Sequence, residues 1–421
     1  MYTPDKSTGA DVLVIGGGAA GMLAALYSAR AGADTLLLEK NEKLGKKLYI
    51  TGKGRCNLTN ACGTDEFLRN VPTNPRFLYS GLSLLDPGGM MALVEELGCP
   101  LKTERGRRVF PVSDKASDVT RALARGLSEA GCRVRLNATV RELDLSDGQV
   151  RGARLLNGQL ISCKALILAT GGLSYPSTGT TGDGYRLAQA AGHHVTETAP
   201  SLIPLVSPEG WVRSLQGLSL RNVTLTTQHR GKTVYSELGE MLFTHFGISG
   251  PLAIELSSHI QGIPFHELQV QIDLKPGLTP EQLHQRLLRE FVSSGRRQLK
   301  NVLETLLPER LAAQIPALCG LDPAKPSAQI TAADRTALVQ TLKALPIRLS
   351  GARPIAEAIV THGGVRVDEI RPGAMASKLI PNLFFAGELL DVDAHTGGYN
   401  LQIAFSTGAL AGRSAAELAL S

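Results

Sequence analysis

Asp11-Val12-Leu13-Val14-Ile15-Gly16-Gly17-Gly18-Ala19-Ala20-Gly21-Met22-Leu23-Ala24-Ala25-Leu26-Tyr27-Ser28-Ala29-Arg30 decides the fold. Residues 11–15 are a short apolar run without a turn former, which reads as a buried parallel strand. Residues 22–30 are good helix formers. Gly32 closes that helix, and Thr35-Leu36-Leu37-Leu38 reads as a second strand ending on Glu39. The order is strand, Gly-x-Gly-x-x-Gly, helix, strand, acid. Gly16 permits the tight turn, Gly18 lets the backbone approach a pyrophosphate, and Gly21 lets helix pack on strand. Ala19 and Ala20 complete the loop as candidate cofactor contacts, and the helix N-terminus after it turns free N–H groups and a positive dipole end toward phosphates. Glu39 stands where a carboxylate accepts ribose hydroxyls. In register, these parts predict a bound dinucleotide rather than a turn that merely imitates the motif. The acid disfavours a 2′-phosphate in this pocket and leaves NAD and FAD unseparated.

Downstream of Glu39 lies a polar, glycine-rich loop, from Lys40 through Lys47 to Gly54-Arg55-Cys56-Asn57-Leu58-Thr59-Asn60. Its density of Gly, Lys, Arg and Asn predicts a ligand loop, with Arg55 or a lysine able to neutralise a pyrophosphate. Ser117–Ala130 reads as an amphipathic helix with Ser117 as N-cap. Strands at 139–145, 149–156 and 159–163 follow, joined at Asp147-Gly148 and Asn157-Gly158, both strong type I′ hairpin signals. Val140, in the first of these strands, joins the candidate cofactor contacts. Ala165–Ala169 then reads as a buried strand running into Thr170-Gly171-Gly172, which again brings bare backbone toward the ligand.

The composition agrees with a sizeable enzyme. There are 421 residues, 5% of them aromatic, and Lys+Arg exceed Asp+Glu by 44 − 38 = 6 without a block of like charge. A solvated surface explains that excess better than nucleic-acid binding. The N-terminus does not read as a signal peptide, and no apolar stretch suggests a membrane span. The six cysteines show no CxxC pair and no zinc spacing, so no metal site, free thiols and a cytoplasmic setting are expected.

From His193 the texture turns β-rich. Within this part, Met241-Leu242-Phe243-Thr244-His245-Phe246-Gly247-Ile248-Ser249-Gly250-Pro251 is an apolar run broken by a histidine, a serine and two glycines. Thr279-Pro280-Glu281-Gln282 is a capping box ahead of Leu-rich helices, and Thr331–Asp334 caps another. The expected layout is 1–192 with 346–421 as one split domain, 193–278 as a β-rich insert and 279–345 as a helical subdomain.

The last segment supplies a second glycine site. Asn382–Ala386 reads as a buried strand ending in Gly387-Glu388-Leu389-Leu390-Asp391. His395-Thr396-Gly397-Gly398-Tyr399-Asn400-Leu401 then opens a long small-residue helix. A plain NAD dehydrogenase does not need this second strand–loop–helix, whereas an FAD enzyme does. Glu388 and Asp391 can meet ribityl or pyrophosphate-side groups, and the helix near Asn400 can aim N–H groups at the flavin N1–C2=O edge.

These stretches, with Leu44–Lys47, Arg108–Ser113, Ala169–Gly172 and Thr361–Val365, resemble the BaiN/YhiN-type flavoproteins, a family of NAD(P)/FAD-dependent oxidoreductases. The resemblance implies an α/β fold: a split Rossmann-like FAD-binding domain, a β-barrel-like insert and a small helical domain. It implies non-covalent FAD, with NAD(P)H visiting transiently as electron donor because only one nucleotide fingerprint is visible. It also implies a small-molecule substrate, with hydride passing through flavin N5 to an activated C=C bond such as a steroid-type enone. Flavin-dependent amine oxidation with O2 is the rival, and RNA modification a third reading. His245 is the first candidate for general acid and Tyr399 the second; Cys56 reads as a packed thiol.

Overall fold

The computed structural model describes residues 8–421. The chain divides into two compact units, one made of the residues up to Ser201 with Ile355–Ser421, the other of Leu202–Pro354. Sequence texture alone places the boundaries after 192 and before 346 and sets 279–345 apart. The difference has a physical cause. Leu345–Ile347 is a strand of the second unit's sheet. Leu283, Leu287, Phe291, Leu338 and Leu342 from the helices share one core with Leu225, Phe243 and Ile272 from the strands.

The first unit is built on parallel strands β1 (Gly9–Ile15), β2 (Thr35–Leu38), β3 (Arg133–Arg135), β4 (Leu160–Leu168) and β5 (Leu383–Phe385), in the order β5-β4-β1-β2-β3. Val12 pairs with Thr35 on one side and Ala165 on the other. Its neighbours Leu13 and Val14 are fully buried, as expected of a parallel strand covered on both faces. Strands Ile370–Arg371 and Ala376–Ser377 extend the β5 edge antiparallel.

Sequence reading splits β4 at Lys164, but it is one strand. Its first half pairs antiparallel with Gln149–Leu155 and its second half parallel with β5. The two hairpins also differ. Asp147 and Gly148 both have positive φ, as a type I′ turn requires. At the second hairpin only Gly158 does, and its N–H donates to Leu155 O, so the loop is one residue longer. Ser117 is not an N-cap: helix Ala116–Glu129 starts one residue earlier, with no side-chain cap.

Helix α1 (Ala19–Arg30) runs alongside α2 (Tyr399–Leu420). The two meet closely enough that a Cβ on Gly408 would lie 2.2 Å from Ala20 O, and one on Gly412 2.1 Å from Ala24 O. Contacts that advance by four residues on both helices make them parallel. With Gly408 level with Ala20, α2 begins about 12 Å further out than α1 at 1.5 Å per residue. Both N-termini therefore lie at the carboxyl end of the sheet.

Within residues 75–96 an 18-residue window reaches a mean hydropathy of 1.2, within reach of a membrane span by composition and length. The sequence reading given above places no membrane span here. The stretch is a 3-10 turn (Pro75–Leu78) and two helices (Tyr79–Leu84, Pro87–Glu96) broken at Leu85-Asp86, with Leu82, Met90 and Val94 in the first unit's core.

In the second unit the β-barrel-like insert is a seven-stranded antiparallel sheet. Its strand order runs from Leu345–Ile347 through Leu268–Asp273, Ser219–His229, Lys232–Phe243, Gly247–Ser249 and Leu205–Val206 to Gly351–Ala352. Both expected capping boxes form, Thr279 with Gln282 and Thr331 with Asp334.

Candidate functional site

Each motif glycine has a distinct reason to lack a side chain. Gly16 has φ 104°, and a Cβ there would sit 2.5 Å from Ala169 O, so the turn packs directly on the end of β4. A Cβ on Gly21 would lie 1.7 Å from Gly16 O, so α1 presses on the turn itself. A Cβ on Gly18 would meet nothing within 4 Å. Its backbone is extended, and no side chain caps the helix that follows. The first two glycines answer to the protein's own packing; Gly18 faces open space beside unclaimed helix N–H groups, the place of a phosphate.

Glu39 is 7% exposed at the end of β2. Its carboxylate accepts from Gly17 N at 2.6 Å and from Asn41 N at 2.7 Å. The glycine turn and the strand-end acid are thereby locked together. Gly17 and Asn41, not singled out from sequence, hold the carboxylate in place. Ala138 N donates to Glu39 O and Asn137 N to Asn41 O, which brings the start of the Val140–Ser146 strand, and with it Val140, beside the acid.

The second glycine loop converges on the same sheet end. Gly387 (φ 75°) leaves β5 and would strike Ala20 Cβ at 2.7 Å if it carried a side chain. Its N–H donates to Thr407 Oγ1 of α2 at 3.0 Å. Gly398, with φ 101°, sits against the Thr59 backbone, where a Cβ would be 2.5 Å away. Thr59 Oγ1 donates to Gln402 Oε1 at 2.7 Å, so the 57–60 loop lies across the first turns of α2. Asn400 closes the turn by accepting from Ala394 N at 2.9 Å and donating to Ala394 O at 2.7 Å. Leu401 follows it in the first turn.

Asn57 Oδ1, in the loop over α2, is buried without a protein partner; Thr170 Oγ1 is too, but it packs on Gly184, where a Cβ would lie 1.9 Å from it. Buried polar groups are normally paired. Together with the open space at Gly18, the Asn57 oxygen fits a bound polar group such as FAD. Gly16–Gly21 and Glu39 would hold its pyrophosphate and ribose, and Asn57 and the α2 N-terminus the flavin end.

Other candidates have different occupations. Lys47 Nζ donates to Glu388 Oε2 at 2.5 Å and to Ser174 Oγ at 2.6 Å. Glu388 Oε1 also accepts from Ser174 Oγ and Thr361 N, so this acid ties three loops together instead of presenting an unoccupied carboxylate. Lys40 pairs with Asp183 at 2.6 Å. Arg55 is bound to Glu104 and Asp114 and stacks over Phe110, so its charge is spent within the protein and not on a phosphate. Gly54, beside it with φ 87°, serves the same turn. Cys56 is fully buried, and burial pushes its thiol up to about 12, a packed group rather than a nucleophile. Tyr399 is buried edge-on to Phe67 at 5.2 Å between ring centres. Burial also pushes the Asp391 carboxyl above its usual range.

His245 belongs to the second unit. It lies exposed in the turn between strands Lys232–Phe243 and Gly247–Ser249, edge-on to Phe246. Sequence reasoning passed over another histidine. His362, in strand β6 (Val360–His362), has its Nδ1 2.9 Å from Oδ1 of Asp393, whose other oxygen accepts from Ser201 Oγ at 3.1 Å. The hydrogen bond with Asp393 raises the imidazole above its usual value. The available signal was the Asp391-Val392-Asp393 spacing, which sends two acids to the same side of an extended segment.

A model of the HI0933-like protein Rossmann domain matches residues 10–414. The chain belongs to that family. Among HI0933-like relatives, the ribosomal RNA dihydrouridine synthase of Escherichia coli K12 is 32% identical over 397 residues, covering 94% of this chain and 96% of that protein. The 3-dehydro-bile acid delta(4,6)-reductase of Clostridium scindens is 32% identical over 410 residues, covering 96% and 98%. Solved structures share the fold at lower identity. A quinol-fumarate reductase superposes with a TM-score of 0.53 at 18% identity, over 99% of this chain and 72% of that one. The 3-ketosteroid delta1-dehydrogenase of Sterolibacterium denitrificans gives 0.52 at 14%, over 98% and 100%. This HI0933-like protein is an FAD-dependent oxidoreductase with a Rossmann-like cofactor domain.

Proposed function

We propose that the protein reduces a C=C bond conjugated to a carbonyl in a small molecule such as a steroid-type enone, with a nicotinamide nucleotide as electron donor. The observation that carries this reading is the full-length likeness to a delta(4,6)-reductase acting on a 3-dehydro-bile acid. Conjugation matters physically: a carbonyl draws electrons from the far carbon of the double bond, so that carbon accepts a hydride, which an isolated alkene does not.

Bound FAD supplies two-electron hydride chemistry at N5. The protein's own share is placement and charge. Glu39 and the Gly16–Gly21 turn anchor one end of the cofactor. The α2 N-terminus presents N–H groups and a positive dipole end where negative charge gathers on reduction.

A second reading, a uracil ring in RNA, is favoured by the equally full-length likeness to proteins named ribosomal RNA dihydrouridine synthase and by one surface feature. Arg105, Arg107 and Arg108 stand exposed on the hairpin that carries Leu101–Glu104 and Arg108–Pro111, and a cluster of this kind suits phosphates. The chemistry is the same, since the C5=C6 bond of uracil is conjugated to a carbonyl.

The test begins with anaerobic reduction of the yellow protein by NADH or NADPH. It is then mixed, still without air, with a 4-en-3-one steroid, a simple cyclic enone or uridine-containing RNA; in parallel, the oxidised protein, never treated with a nicotinamide, is given an amine in air. Reoxidation by the ketones supports the proposal. Reoxidation by RNA alone selects the second reading, and peroxide release with amines in place of both refutes the assignment.

A further inference from the structure

The best-built proton donor in the first unit is the pair His362 and Asp393. Asp393 is 1% exposed and uses both oxygens, one on His362 and one on Ser201. It fixes the imidazole by Nδ1, while the side chain of His362 remains 28% exposed. Nε2 makes no hydrogen bond among the described residues and is the atom left for a ligand. A buried carboxylate that orients a partly exposed histidine is the arrangement general acids use elsewhere.

Its location follows from three tethers. Thr361, the preceding residue, accepts at Oγ1 from Leu173 N (2.8 Å) and Ser174 N (3.2 Å), in the loop after β4. Thr361 N donates to Glu388, just after β5, at 2.9 Å. On the other side, Asp393 precedes Ala394, which the Asn400 side chain clamps to the first turn of α2. His362 is thus held where the ends of β4 and β5 and the start of α2 come together. The charged groups acting on it are Asp393 and Asp391, both on the loop that leads to α2; strand Ala199–Ser201, paired with β6, contributes only Ser201.

We propose that His362, oriented by Asp393, is the catalytic acid that protonates the substrate. The inference rests on the conjugated C=C reduction proposed above. The far carbon of the double bond gains hydride from N5 of the reduced flavin, the π pair shifts toward the carbonyl, and the near carbon takes a proton from His362 Nε2. One C=C becomes a C–C with two new C–H bonds, the flavin is oxidised by two electrons, a nicotinamide nucleotide restores it, and solvent returns the proton to His362. Asp393 is a positioning residue.

The test uses the full flavin-loaded chain with His362→Gln and Asp393→Asn. Glutamine keeps a donor toward Asp393, so folding is spared, and flavin content is measured on every variant. First, the ring-proton signal of His362, assigned by its loss in His362→Gln, is followed by NMR with and without FAD. A group beside the flavin shifts on loading, and a signal that ignores FAD overturns the proposal. Second, stopped-flow separates the two half-reactions. Reduction by the nicotinamide is expected unchanged in His362→Gln, while reoxidation by the enone slows by roughly 10²-fold or more, the range a positioned acid supplies. Asp393→Asn should move the alkaline limb of that step to lower pH, because the aspartate holds the proton on His362. Wild-type and His362→Gln proteins reoxidised at equal rates overturn the role of His362 alone. A wild-type protein that no conjugated ketone reoxidises removes the underlying reading instead.

Discussion

Gly18 and Gly21 separate cofactor binding from folding within a single motif. Gly18 has φ −82° and ψ −166°, which alanine adopts without strain, and its Cβ would meet no protein atom within 4 Å. Gly18→Ala should therefore leave the flavin-free fold intact, or stabilise it by about 0.4–1 kcal/mol through a less disordered unfolded chain. The added methyl instead enters the space assigned to the pyrophosphate. Overpacking there should weaken binding by about 1–3 kcal/mol, or roughly 5- to 150-fold in Kd. Gly21→Ala behaves in the opposite way. Its Cβ falls 1.7 Å from Gly16 O, so helix and turn must separate by more than 1 Å, and the loss appears in the flavin-free protein. Thermal unfolding of deflavinated protein and fluorescence titration with FAD measure the two effects. Gly18→Ala protein that binds FAD as wild type does, or that melts early without it, refutes the assignment of that space.

Gly408→Ala places a methyl 2.2 Å from Ala20 O, so it should destabilise the first unit by about 1–3 kcal/mol, read as a lower melting temperature. An unchanged melt would mean the helices are free to separate. Replacing Asp393 by alanine should destabilise by about 1–3 kcal/mol, since Ser201 and His362 lose a buried acceptor, measured by denaturant unfolding. His362 has a folded value raised above 6.5 by its bond with Asp393, so the stability it adds is full below 6.5 and is lost as pH rises through the folded value. The stability gap between wild type and His362→Gln should accordingly narrow from pH 5.5 to pH 9; a gap that widens refutes the linkage. Cys56, with its thiol at about 12, should escape iodoacetamide in native protein at pH 8 by peptide mass, whereas alkylation at the rate of the denatured chain would contradict its burial.

Local chemistry determined much of this protein. Gly16, Gly18 and Gly21 announce turn, approach and packing because a glycine between strand and helix has few other uses, and Glu39 ends its strand because backbone spacing leaves it there. Both capping boxes, the Asp147-Gly148 turn and the two glycine loops were legible for the same reason: each is decided by residues within a few positions of one another. Tertiary structure alone decided what long-range partners do. Arg55 looked free for a phosphate until folding set Glu104 and Asp114 beside it, 49 and 59 residues away. Glu388 looked like a cofactor ligand until Lys47, 341 residues distant, took one of its oxygens. His362 had no assigned role until Asp393 was folded onto it. A charge's role depends on which opposite charge arrives within hydrogen-bonding distance, and chain closure over hundreds of residues is not written in any local stretch.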